Sequence, residues 1–204
     1  MDPSFWDTRY ASDGYFYGTS PNAFVAESVS LIPPGPALCL AEGEGRNAVF
    51  LALRGHAVTA MDQSAVGLAK AARLAANHTV PLTTHLADLA HFPIEPGAWS
   101  GIVATFVHLP PPLRRDVHAR VAAGLSPGGV FILEAYTPDQ VRHRTGGPVN
   151  QPELLMRLAD LRRELAGLDL VIARELERDV VEEPGHRGLG AVVQIAARKP
   201  AAHS

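Results

Sequence analysis

Apolar residues fall in short runs separated by longer stretches with helical spacing. Residues 37–41, 57–61, 82–86, 99–105 and 130–136 read as strands, and residues 46–54, 64–77 and 112–123 read as helices between them. Gly55 closes the first of these helices, and three prolines precede the third. Strands and helices alternating at this spacing predict a doubly wound α/β sheet, parallel, with helices on both faces. After Tyr136 the pattern changes. A polar segment, 137–150, precedes a helix at 151–165, and two β-rich runs at 168–178 and 189–198 follow, joined by 180–188. The expected sheet therefore has about seven strands, mostly parallel with an antiparallel C-terminal strand pair at one edge.

Ahead of the first strand, Ser20-Pro21-Asn22 signals a helix start, with Ser20 as N-cap, and the helix runs to about Leu31 before Pro33-Pro34-Gly35-Pro36. Residues 4–19 hold three of the four tyrosines and one of the two tryptophans, with Gly14 and Gly18 among them, outside any periodic helix. A lid over a pocket and an arm packed on the core both fit this density. The whole chain, 1–204, is read as a single domain, with 1–32 as the aromatic arm and helix and 37–199 as the core.

Composition narrows the partners. With 47% hydrophobic and 19% charged residues and a net charge of −3, the chain is an ordinary globular one, without a basic block to neutralise a run of phosphates. Nucleic acid is not an expected partner, nor is a membrane, and the start of the chain lacks a signal pattern, so a cytoplasmic location is expected. Cys39 is the single cysteine, and the nine histidines lack metal-ligand spacing, so no metal is expected. A monomer or weak homodimer is expected.

Chemistry concentrates at the ends of the strands. Glycines at 43 and 45 let the backbone turn tightly after the first strand, in a Rossmann-like arrangement that offers the N–H groups of the following helix to an anionic or carboxylate-bearing group. Asp62 ends the second strand, where an ionised carboxylate can accept both hydroxyls of a ribose. Asp88 follows the third and can accept from an exocyclic amine such as that of adenine. A glycine turn, an acid and an acid at successive strand ends describe a site for an adenosine carrying a charged appendage. Each alone has a plainer reading: an acid after a strand also caps helices, and Asp88 also suits a turn. Gly43-Glu-Gly-Arg-Asn-Ala48 also fits a dinucleotide turn, so an NADP-dependent oxidoreductase is the rival. The missing second domain, the closing strand pair and the two lysines, neither three residues after a tyrosine, oppose it.

Glu42-Gly-Glu-Gly-Arg-Asn47, Asp62, Asp88, His108-Leu-Pro-Pro111 and Leu125-Ser-Pro-Gly-Gly129 together resemble the class I S-adenosylmethionine-dependent methyltransferases. The nearest group is the small one that includes the tellurite-resistance and thiopurine-type enzymes. The resemblance implies S-adenosyl-L-methionine as cofactor. It implies that Glu42, Gly43 and Gly45 line the methionine part, with Arg46 and Asn47 beside it, and that Asp62 holds the ribose next to Gln63. Asp88 and Leu89 would border the adenine, and Phe106, Val107 and His108 would lie near the sulfonium and the substrate. Two positions depart from the family pattern, which usually has an acid at Cys39 and a glycine at Ala41; Glu42 can substitute for the missing acid from the adjacent position.

Methyl transfer asks mainly for alignment, and a base only where the acceptor begins protonated. His108 is the first candidate base, at the mouth after the fourth strand; Tyr17 and His186 are weaker ones. Base-methylating enzymes of this fold carry Asn or Asp before Pro-Pro and an aromatic after it. His108-Leu109-Pro110-Pro111-Pro112-Leu113 has neither, which points to a small-molecule acceptor such as a thiol or a tellurium or selenium anion. A catalytically silent cofactor-binding module is the remaining alternative.

Overall fold

The computed structural model describes residues 3–182 and 186–201. Its seven strands are β1 (Pro36–Leu40), β2 (Ala57–Asp62), β3 (Thr83–Leu86), β4 (Trp99–Thr105), β5 (Leu125–Tyr136), β6 (Asp169–Glu182) and β7 (His186–Arg198). They form one sheet in the order β3-β2-β1-β4-β5-β7-β6. The first five pair in parallel, and β7 runs antiparallel between β5 and β6. The mixed sheet is the one expected from the chain's pattern.

Alternation within single strands builds both faces. On β1, Leu38 and Leu40 point into one apolar layer, with Ile102, Phe131 and Val121 of α5 (Pro111–Gly124) and Leu161 of α7 (Leu158–Glu164). Ala37 and Cys39 point into the other, with Val103 and Ile132, under α2 (Ala23–Ser28), α3 (Arg46–Leu53) and α4 (Ala65–Asn77). Strands buried on both faces must be nearly continuously apolar, which is why β1, β4 and the latter half of β5 stand out in the sequence. Strand order reverses at β1, so the carboxyl ends of β1 and β4 open the crevice where such sheets bind ligands.

Several local expectations are corrected. Residues 3–10 form a helix, α1 (Pro3–Tyr10), packed on α4. The N-cap ahead of α2 is Asn22 rather than Ser20; its side chain accepts from the N–H groups of Phe24 and Val25. Ser126-Pro-Gly-Gly129 lies inside β5, where the register against β4 shifts between Trp99 and Gly101, so the strand begins at Leu125. The helix expected over 151–165 is broken into a 3₁₀ turn, Pro152–Leu154, and α7, and a short helix α6 (Gln140–His143) precedes it.

Candidate active site

The turn after β1 takes the backbone through three left-handed residues, Ala41 (φ 47°), Gly43 (φ 64°) and Gly45 (φ 94°). Gly45 is the N-cap of α3, and a Cβ there would lie 2.6 Å from the Cα of Ala71 on α4, so only glycine permits this approach of the two helices. Ala41 occupies the position that is glycine in the family pattern, in the conformation that explains why glycine is usual there. A side chain in this region costs roughly 1–2 kcal/mol.

Glu42 turns back onto the start of α3. Its Oε1 accepts from the backbone N–H groups of Asn47 and Ala48, each at 2.8 Å. The helix terminus is therefore met by the protein's own carboxylate and not left open for a ligand anion. Burial pushes the Glu42 carboxyl up to about 7, against the opposing pull of the Ala48 N–H and the Arg46 guanidinium. The thiol of Cys39 hydrogen-bonds to the same carboxylate, and burial raises that thiol well above its ordinary range. Cys39 thus reaches the place from the strand while Glu42 supplies the charge.

Asp62, at the end of β2, is buried and holds the turn by accepting from the N–H groups of Gly43 and Ser64, both at 2.8 Å. Burial raises its pKa, against those two N–H groups and that of Gln63. Above it lies α1. Ser64 donates to Asp7 at 2.5 Å, and Tyr10 packs so closely that a Cβ on Gly43 would sit 2.5 Å from its hydroxyl. Burial drives the Tyr10 ionisation far upward, and Asp62, Tyr17, Glu44 and Glu42 add to it. Three carboxylates, those of Glu42, Glu44 and Asp62, thus lie close enough to the glycine turn to act on Tyr10.

The aromatic arm is fastened to this turn by Glu44. Its Oε2 accepts from the N–H groups of Phe16 (2.7 Å) and Tyr17 (3.4 Å), and its Oε1 accepts from Lys70 Nζ at 2.8 Å. Lys70 also donates to the carbonyls of Ser12 and Gly14. Tyr17 is brought to the same corner, where its hydroxyl accepts from Arg9 at 3.2 Å. Sequence reasoning passed over Tyr10, Glu44 and Lys70. A signal existed for two of them: an acid between two turn glycines has only the turn's own surroundings to pair with, and Lys70 is one of two lysines in the chain.

The end of β4 supplies the other wall. Phe106 (φ 55°) packs its ring 4.7 Å from that of Tyr136, with Val107 half-buried beside it. His108 is buried, and both ring nitrogens are engaged: Nδ1 lies 3.0 Å from the Phe106 carbonyl, and Nε2 accepts from the Tyr136 N–H at 3.1 Å. A neutral ring with its proton on Nδ1 satisfies both contacts and leaves no lone pair for an acceptor's proton. The geometry is at odds with a general-base role and makes His108 a brace between the β4 turn and β5. Asn47 is also turned away from the turn. Its side chain accepts from the Asn22 N–H at 2.9 Å and donates to Thr105 at 3.1 Å. Asn22 in turn reaches the fully buried Glu134, which also accepts from Arg178 and Gln194.

Arg46 is buried behind Glu42, and Gln63 is half-buried. Asp88 is exposed and accepts from the Ala90 N–H at 2.9 Å, while Leu89 is buried. The β1 and β2 residues thus touch one another directly, and Asp88 and Phe106 flank them at neighbouring strand ends. His186 begins β7, and its side chain lies outside the described residues. Among the described residues no group of three or more metal-ligating side chains occurs, and no helix is long and apolar enough to cross a membrane.

Residues 37–129, from β1 into β5, match the family model described as a methyltransferase domain. Over this stretch, somewhat under half of the chain, the protein is similar to methyltransferase domains. It is 30% identical over 117 residues to Hemagglutinin 1 of Eikenella corrodens, covering 56% of this chain but only 39% of that protein. The fold is shared with TehB from Haemophilus influenzae (TM-score 0.74, 20% identity, 97% of this chain and 66% of that one). It is shared also with a structure from echinomycin biosynthesis, where a disulfide bond is converted into a thioacetal group (TM-score 0.74, 17% identity, 99% and 94%). The N-methyltransferase NodS from Bradyrhizobium japonicum WM9 is similar over 87% of this chain and 92% of its own (TM-score 0.66, 13% identity).

The residues around the turn suit the cofactor of this class. S-Adenosylmethionine carries a sulfonium and an ammonium, and the glycine turn is bordered by Glu42, Glu44 and Asp62, whose charges all bear on Tyr10. Of these, Glu44 is committed to Lys70 and the arm, while Glu42 and Asp62 border the turn itself and offer carboxylate acceptors for an ammonium and for hydroxyls.

Proposed function

We propose that the protein transfers a methyl group from S-adenosylmethionine to a small-molecule acceptor. The observation that carries this reading is Glu42 on the first N–H groups of α3. A dinucleotide needs those groups for its pyrophosphate. Here they are capped by a carboxylate, so the turn favours a cationic ligand and opposes NADP.

Glu42 binds the ammonium of the methionine part, and Gly43 and Gly45 admit it by leaving the turn without side chains. Arg46 keeps Glu42 oriented, and Asn47 ties α3 to Asn22 and Thr105. Asp62 accepts from the ribose hydroxyls with Gln63 beside it, and Asp88 and Leu89 border the adenine. Phe106 and Val107 wall the end where the acceptor approaches. The bound cofactor supplies a methyl group activated by its sulfonium. The protein's contribution is alignment and exclusion of water, worth up to about 7–11 kcal/mol when reactants are well oriented. The aromatic arm, pinned by Glu44 and Lys70, acts as the lid, with Tyr10 and Tyr17 on its inner side.

A thiolate or a reduced tellurium or selenium anion begins without a proton to lose and needs no base, which accords with the fully engaged ring of His108. The test is release of S-adenosylhomocysteine across a panel of thiols, tellurium and selenium anions, phenols and amines. Release with a thiol or chalcogen anion, lost in Glu42→Gln and Asp62→Asn, supports the reading; no release with any member, despite cofactor binding, overturns it.

A further inference from the structure

A cavity of about 470 Å³ opens near the carboxyl ends of β4 and β5, between the start of α5, the segment after β5 and α7. Pro111, Pro138, Pro152 and Leu155 give it an apolar wall. Four arginines reach it, and their partners differ. Arg114 is buried and binds Glu164 through Nε and Nη2, while its Nη1 is buried without an acceptor. Glu164 also takes His118 at 2.7 Å, and His118 and Arg114 hold its carboxyl down at about 2, so its charge is fully committed. Arg163 pairs with Asp160 on the same helix. Arg115 and Arg157 are exposed and have no ion-pair partner among the described residues, with Glu153 the one remaining carboxylate of the lining.

A buried guanidinium nitrogen without an acceptor is destabilising until a ligand meets it, and two uncommitted arginines beside it leave the cavity with surplus positive charge. Arginine suits the planar carboxylate, and the proline and leucine wall suits an apolar body behind it. The cavity is far larger than a lone oxyanion requires.

We propose that this cavity binds the methyl acceptor through an organic carboxylate, held by Arg115 and Arg157 over the Arg114 guanidinium. This rests on the methyl-transfer reading only for the word acceptor; the binding itself does not need it. The cavity adjoins the wall formed by Phe106 and Tyr136 through Leu155, which lines it and packs in one apolar cluster with them.

The experiment titrates the full chain with phenylacetate and with phenylacetamide, by calorimetry, for the wild type and for Arg115→Ala/Arg157→Ala. Both substitutions are at exposed positions, and circular dichroism checks the fold. Saturable phenylacetate binding, absent for the amide and weakened at least about tenfold in the double variant, supports the site; two lost charge-assisted hydrogen bonds account for that factor. Glu153→Gln should tighten it. Equal binding of acid and amide, or an unchanged double variant, overturns the site, and tellurite or inorganic phosphate binding as tightly as phenylacetate overturns the organic class. S-Adenosylmethionine binding without phenylacetate binding overturns this cavity alone. Phenylacetate binding without S-adenosylmethionine binding overturns the methyl-transfer reading, and with it the ligand's role as acceptor.

Discussion

Ala41 holds a left-handed backbone that alanine enters only at a cost. Ala41→Gly removes the strain and returns some chain entropy to the unfolded state, so the net expectation is stabilisation of up to about 1 kcal/mol, read as a higher denaturation midpoint at unchanged m. Glu42 gives a pH signature. Its carboxyl is raised from 4.5 to about 7 in the folded protein, so the folded form binds the proton more tightly than the unfolded one. Its contribution to stability is fully present below the unfolded value and falls as pH rises from about 4.5 through 7. Cofactor affinity should move the other way, rising through about 7 as the carboxylate ionises to meet an ammonium; in Glu42→Gln both dependences flatten. For His108→Ala the expected loss is stability, about 1–3 kcal/mol, because the Phe106 carbonyl and the Tyr136 N–H lose their shared partner. Turnover measured well below the melting temperature should keep its pH profile; an ionisation lost from that profile in the variant would restore the ring to the chemistry.

At the scale of elements, the arm is the part most dependent on a few side chains. Glu44 and Lys70 form a buried pair at 2.8 Å that also holds the backbone of residues 12, 14, 16 and 17. Removing one partner of a buried pair commonly costs about 3–5 kcal/mol. Lys70→Met should therefore release the arm locally, seen as rapid proteolysis between residues 11 and 20 with the sheet intact; an arm as resistant as the wild type would contradict the clamp. The same element shows what the sequence could reveal. Strands buried on both faces and glycines at forced turns were readable because their residue types are dictated by local sterics and burial. The helix α1 was not, because its apolar positions are aromatic and lack a stripe, and its shape comes from packing on α4 and from Asp7 meeting Ser64. Ser20 looked like a cap, yet Asn22 wins because its side chain serves two N–H groups and Glu134 at once. The His108 position was legible and its bonding was not, since both partners are backbone groups that only the fold brings near.

At the scale of the whole molecule, the sheet places a carboxylate-bordered glycine turn at the β1 and β2 ends beside an aromatic wall at β4 and β5. The motif residues Glu42, Gly43, Gly45 and Asp62 were readable as a cluster because successive parallel strands bring their carboxyl ends to one edge. The buried Glu134 set was not, because it joins the arm, β5, β6 and β7, segments far apart in the chain. The most direct measurement is calorimetric titration of the full chain with S-adenosylmethionine and, separately, with NADP at pH 8, where Glu42 is ionised. Saturable binding of S-adenosylmethionine in the micromolar range, lost in Asp62→Asn, is expected, with no binding of NADP. Tight binding of NADP with none of S-adenosylmethionine would contradict it.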